Sequence, residues 1–171
     1  MSTHPSPALP IAYVVLRILI VLNWLMGVAI LVLLLFMPTE LWIMRSFDLS
    51  PSPEAARLVF GMRAIAVIGL VSIPLNHIIL TRLLAMVETV RAGDPFVAAN
   101  AIRLRAIAWA LLTLQLLSLV VSAIAEGVEI PGRPLKFESG FSINGWLAVL
   151  LTFVLARVFA EGTRMREDLE G

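Results

Sequence analysis

The sequence contains no cysteine in its 171 residues. That absence excludes disulfide exchange, thiolate catalysis, iron–sulfur ligation and every cysteine-based zinc site. Histidine is limited to His4, in a proline-rich N-terminal segment, and His77, near the end of an apolar run. Facing axial haem ligands therefore cannot be assembled within one chain. Charge is equally thin: 15% of residues are Asp, Glu, Lys or Arg, against about 25% in ordinary soluble domains. A net charge of +1 leaves none of the clustered basic surface that direct nucleic-acid binding requires. With no nucleophile–base pair and no metal-ligand cluster in the sequence, the expectation is a non-enzymatic protein without a cofactor.

What the sequence has is long apolar runs. It is 60% hydrophobic, with a mean hydropathy of +0.95. Four stretches, residues 11–37, 55–80, 104–125 and 143–160, match the roughly 18 to 20 apolar residues that cross a bilayer. Backbone groups in lipid must be satisfied within the segment, and these Leu/Ile/Val/Ala runs lack the alternation of barrel strands, so each is a helix. The first is too long for a signal-peptide core and lacks a basic flank, so it reads as an uncleaved span. The predicted fold is all-α: one four-span membrane domain, residues 1–171, with its transmembrane helices in a bundle and membrane lipids as its first partners. A chain of 18.7 kDa leaves no room for a soluble catalytic or DNA-binding domain beside them.

Orientation follows from the basic residues of the short loops. Arg82, Arg91, Arg103, Arg105, Arg164 and Arg166 lie at one end, against Arg45, Arg57, Arg133 and Lys136 at the other. This predicts that the middle loop and both termini are cytoplasmic, in a bacterial inner membrane. On the outer side, the segment PTELWIMRSFDLSPSP suits an interfacial element anchored by Trp42. GVEIPGRPLKFESG reads as an external loop.

The middle loop carries the most local information. Leu83, Leu84, Val87 and Val90 recur at helical spacing beside Arg82, Glu88 and Arg91, so the second span continues as an amphipathic helix that Gly93 stops. Asp94 is then placed to cap a new turn, with Pro95 at its first position. The result is a helix-break-helix corner that leads through FVAANAIRLR into the third span.

The strings GDPFVAANAIRLRAIAW and VFAEGTRMREDLEG resemble the bacterial four-span membrane family of unknown function DUF2975. The matching positions are Gly93, Pro95, Phe96, Asn100, Arg103, Leu104 and Arg105, then Phe159, Gly162, Met165, Arg166, Glu167, Asp168 and Leu169. Genes of this family often lie beside a short helix-turn-helix regulator. The resemblance therefore implies a membrane protein that sequesters or signals to a transcription factor. The surface expected to engage such a partner comprises Gly93, Pro95, Phe96, Asn100, Arg103, Arg105, Arg164, Arg166, Glu167 and Asp168. The family tail commonly continues into Thr-Val or Thr-Ile where this sequence ends at Gly171, so the last contacts of a docking tail are expected to differ.

Ionisable residues inside spans cost about 2.5 to 3.5 kcal/mol at a helix centre and need a reason to be there. Arg17 and Arg157 lie near the cytoplasmic end, where long side chains snorkel to the headgroups. Arg63 and Glu126 lie near the outer ends of the second and third spans. Structural ion pairing between them is the preferred reading over an ion pathway. His77 follows Asn76 and Pro74, a residue that leaves the Leu70 carbonyl without its helical donor and can kink the helix. Interfacial packing is the plainer role for His77; the sharper one is sensing of protons or a ligand. Asn23 reads as interhelical glue, and the pairs Ser118/Ser122 and Ala156/Ala160 as sites of close helix approach, within the chain or in a homo-oligomer. The alternative function is a small transporter or channel subunit acting as an oligomer. It would call for an acidic residue in mid-span, and every Asp and Glu lies at a span end or in a loop.

Overall fold

The computed structural model describes residues 8–36, 53–127 and 141–170. These form four α-helices: α1 (Ala8–Phe36), α2 (Pro53–Arg91), α3 (Ala98–Glu126) and α4 (Ile143–Glu170). Each is long and apolar enough to cross a membrane, and no strand occurs among the described residues. The interfacial segment around Trp42, the loop with Arg133 and Lys136, Arg45, His4 and Gly171 lie outside the described residues.

The helix boundaries have local causes. Proline opens α2 at Pro53, where its missing N–H is one that a first turn leaves unbonded in any case. Pro74 lies inside α2 without ending it. At 39 residues, or about 58 Å, α2 outruns the hydrocarbon core and carries the expected amphipathic extension as far as Arg91. The tail after the fourth apolar run is likewise helical and continuous with α4.

Packing is strictly sequential and antiparallel. Among the described residues α1 packs only on α2, α2 also on α3, and α3 also on α4. The bundle is therefore an open row in which α1 and α4 do not meet. The α1–α2 seam runs through small and polar residues. Gly27 is buried so close to Ile73 that a Cβ there would lie 3.1 Å from the Ile73 Cγ2. Asn23 donates from Nδ2 to the Ile73 carbonyl at 3.1 Å, the interhelical role expected for it. In the α3–α4 seam, Gly145 faces the buried Gln115, and Trp109 meets Phe153 edge-on at 5.5 Å. The core is small and centred on α3, which contributes Leu104, Ile107, Ala108, Ala110 and Ala125; Leu58, Val59, Ile73, Val149 and Ala156 come from its neighbours.

This arrangement brings the start of α1, the end of α2, the start of α3 and the end of α4 to one end of the row, the corner end. The guanidiniums of Arg17, at 4.9 Å, and Arg91 of α2, at 5.1 Å, both lie over the ring of Tyr13 of α1.

Candidate functional site

The corner between α2 and α3 is built from its backbone outwards. Gly93 takes φ +84°, the left-handed conformation that glycine adopts without strain. The Gly93 N–H donates to the Val90 carbonyl and the Asp94 N–H to the Thr89 carbonyl, each at 3.1 Å. This pair of bonds is the Schellman motif, and it satisfies carbonyls that the end of α2 would otherwise leave open. Gly93 stops α2 as the sequence predicts.

The expected cap at Asp94 is not formed. The first helical residue of α3 is Ala98, its N-cap is Val97, and no side chain caps it. Residues 94–97 form a non-helical connection whose last residue, Val97, is extended, and the Asp94 carboxylate instead accepts a 2.5 Å bond from Arg166 on the last turns of α4. The physical reason is where the helix starts: α3 begins at Ala98 with Val97 at its N-cap, so Asp94, three residues earlier, does not occupy the position from which a side chain caps the first turn.

Asn100 holds the corner from within. It is 1% exposed. Its Nδ2 donates to the Thr89 Oγ1 and to the Pro95 carbonyl, both at 2.8 Å, and its Oδ1 accepts from Arg103 at 2.8 Å. Arg103 also donates to the Ala85 carbonyl of α2 at 3.3 Å. One buried amide thus ties the end of α2, the connection and the first turn of α3 together. A buried amide with its donors and acceptor engaged makes such a network stabilising.

The tail of α4 closes over this corner. Phe96 packs on Phe159 at 5.3 Å between ring centroids. Gly162 lies beside the same ring, where a Cβ would meet the Phe96 ring at 3.6 Å, an ordinary packing contact. The two segments that carry the family resemblance, some sixty residues apart in the chain, form one continuous face. Within it the partner-surface residues divide. Asn100 and Arg103 are engaged internally, Gly93 and Pro95 shape the backbone, and Phe96, Arg105, Arg164, Arg166 and Asp168 remain exposed. The side chain of Glu167 lies outside the described residues.

The polar residues within the spans behave differently. Arg63 and Glu126 form no ion pair with each other; both are exposed. Near that end of α2 and α3, the residues lining the cleft between the helices include Ala56, Phe60 and Gly61 on one side and Ala123, Ile124 and Gly127 on the other. His77 has a partner that the sequence did not reveal: the Trp24 indole N–H donates to His77 Nδ1 at 3.2 Å, with the rings 5.4 Å apart and edge-on. The pair joins residues 53 positions apart, and nothing in the local pattern around His77 could indicate it.

Four antiparallel spanning helices, with the recognisable residues gathered at one end, define a multi-pass membrane protein. Residues 42–171 match the family described as Protein of unknown function (DUF2975), and the chain belongs to that family. No curated protein and no solved structure matches it.

Proposed function

We propose that this is a non-enzymatic protein of the bacterial inner membrane, with cytoplasmic termini, whose corner and tail engage a small helix-turn-helix transcription regulator. The observation that carries the reading is the convergence of the two motif-bearing segments, 93–105 and 159–170, on one face through Asp94–Arg166 and Phe96–Phe159.

The strength of that contact suits a latch. The ion pair is about half exposed, at 47% and 45% for its two side chains. Exposed pairs contribute about 0 to 1 kcal/mol and an aromatic pair about 0.5 to 1.5 kcal/mol. A partner that binds Phe96 and the Arg164–Asp168 turn can therefore displace the last turns of α4 at modest cost. A change in span packing shifts the same balance, because α4 is one unbroken helix from the membrane to the latch. A stimulus at the outer loops or in the bilayer then alters how much of the cytoplasmic face is free.

The test is co-purification of the intact chain in mild detergent with such a regulator, beside Phe96→Ala. Capture of a small DNA-binding protein by wild type and its loss in Phe96→Ala, with membrane insertion unchanged, is expected. Equal capture by both overturns the reading.

A further inference from the structure

The arginines of the corner end are not equivalent. Arg103 is bonded to Asn100 and Ala85, Arg166 to Asp94, and Arg17 and Arg91 lie over the Tyr13 ring. Arg82, Arg164, Arg105 and Arg157 make none of these contacts among the described residues, and of these four it is Arg105 of α3 and Arg157 of α4 that share a groove. Among the described residues neither meets a carboxylate, a hydrogen-bond acceptor or a ring, yet both line one groove of about 350 Å³ between α3 and α4. Deeper than the arginines the groove is walled by Trp109 and Phe153, while Ala156 and Ala160 line it beside Arg157. Trp109 offers Phe153 an edge-on contact and remains 55% exposed.

Depth gives this arrangement its meaning. Arg105 lies seven residues into α3, or about 10 Å from its start at Ala98. A span of 29 residues, about 43 Å long, extends about 6 Å beyond each side of a 30 Å hydrocarbon core. Arg105 therefore sits near the boundary between headgroups and chains, and Trp109 one turn deeper. Two like charges held at that boundary without a counter-charge are unfavourable unless an anion joins them. The guanidinium fork matches phosphate oxygens in particular.

We infer that the α3–α4 groove is a binding site for an anionic phospholipid, its phosphate held between Arg105 and Arg157 and the top of an acyl chain lying against Trp109 and Phe153. The apolar surface continues sideways from the groove through Ile102, 67% exposed. That continuity selects a lipid over a free anion, because a free anion has no use for the aromatic walls.

The site is tested on the full chain in phosphatidylcholine bilayers doped with brominated phosphatidylglycerol or, at equal mole fraction, brominated phosphatidylcholine. Tryptophan quenching is read, and the Trp109→Phe variant isolates the Trp109 contribution. Trp109 should be quenched more strongly by brominated phosphatidylglycerol. The preference should fall about fivefold for each arginine removed in Arg105→Gln and Arg157→Gln, following the energy of one basic residue at an anionic surface. Arg82→Gln, an equal loss of charge at the same end but outside the groove, should leave the preference unchanged. Arg105→Lys with Arg157→Lys keeps the charge and guards against misfolding of the glutamine variants, and it should retain part of the preference. Equal quenching by both lipids in wild type overturns the inference, as does a preference that survives removal of both arginines. Displacement of the brominated lipid by inorganic phosphate overturns the lipid assignment in favour of a free anion.

Discussion

α1 and α3 each have 29 residues, and α1 is the more apolar of the two, yet their places in the fold are opposite. In the most apolar stretch of α1 only 6% of residues are buried, against 22% in α3. Among the residues of α1 whose burial is described, Gly27 is the buried one. α3 buries Asn100, Leu104, Ile107, Ala108, Ala110, Gln115 and Ala125. The difference shows which forces act in each place. Apolar character carries a helix into the bilayer, but lipid tails are as apolar as leucine and exert no hydrophobic pressure between helices. Helices are drawn together there by small residues that allow close approach and by polar side chains that find partners. α3 has these along both seams, and α1 has them at Asn23, Trp24 and Gly27.

The largest expected effect separates the two helices directly. Asn100→Ala removes three hydrogen bonds, one of them to a guanidinium, and should lower stability by about 2 to 3 kcal/mol. Asn23→Ala removes a single interhelical bond and should cost about 0.6 kcal/mol. Unfolding in mixed detergent micelles measures both, and equal losses would break the comparison.

Glycine substitutions sharpen it next. A Cβ on Gly145 would collide with the Oε1 of the buried Gln115, which must then move, so Gly145→Ala should destabilise the α3–α4 seam by about 1 to 2 kcal/mol. Combined with Gln115→Ala, the loss should be smaller than the sum of the two by about 1 kcal/mol, which a double-mutant cycle reads. At Gly27 the same methyl meets the Ile73 Cγ2 at 3.1 Å. A shift of a few tenths of an ångström accommodates it, and the cost should stay below about 1 kcal/mol by the same unfolding measurement.

Trp24→Phe keeps the ring contact with His77 but removes the hydrogen bond, and should cost about 0.6 kcal/mol. The smallest expected effect is at the latch. Asp94→Asn should cost roughly 0.5 kcal/mol, and the difference from wild type should vanish at high salt. If it persisted there, the Asp94–Arg166 contact would be a structural element of the corner rather than a displaceable one.

Much of the architecture is legible without coordinates. The spans, the extension of α2, the stop at Gly93 and the sharing of one end by corner and tail follow from runs, spacing and an even number of crossings. The motif residues Phe96, Asn100, Arg103 and Arg166 also stand out in the sequence, but their roles do not. Asn100 and Arg103 look like surface chemistry and are internal ties. Asp94 looks like a helix cap and is an ion-pair partner. Arg63 and Glu126 lie at suitable ends of adjacent spans, yet both are exposed and do not pair with each other. Each of these outcomes depends on helix rotation, which an apolar pattern leaves open when every side of a helix is apolar.

By itself, the sequence determined that the chain is helical and enters a membrane. Both properties follow from local composition, because a long apolar segment in lipid must satisfy its own backbone and does so only as a helix. The tertiary structure decided the open order of the row, the closing of the tail over the corner, the Trp24–His77 bond and the placing of Arg105 and Arg157 along one groove. Those features bring together residues 50 or more positions apart. Only the assembled helices, with their rotations settled against one another, bring such residues face to face.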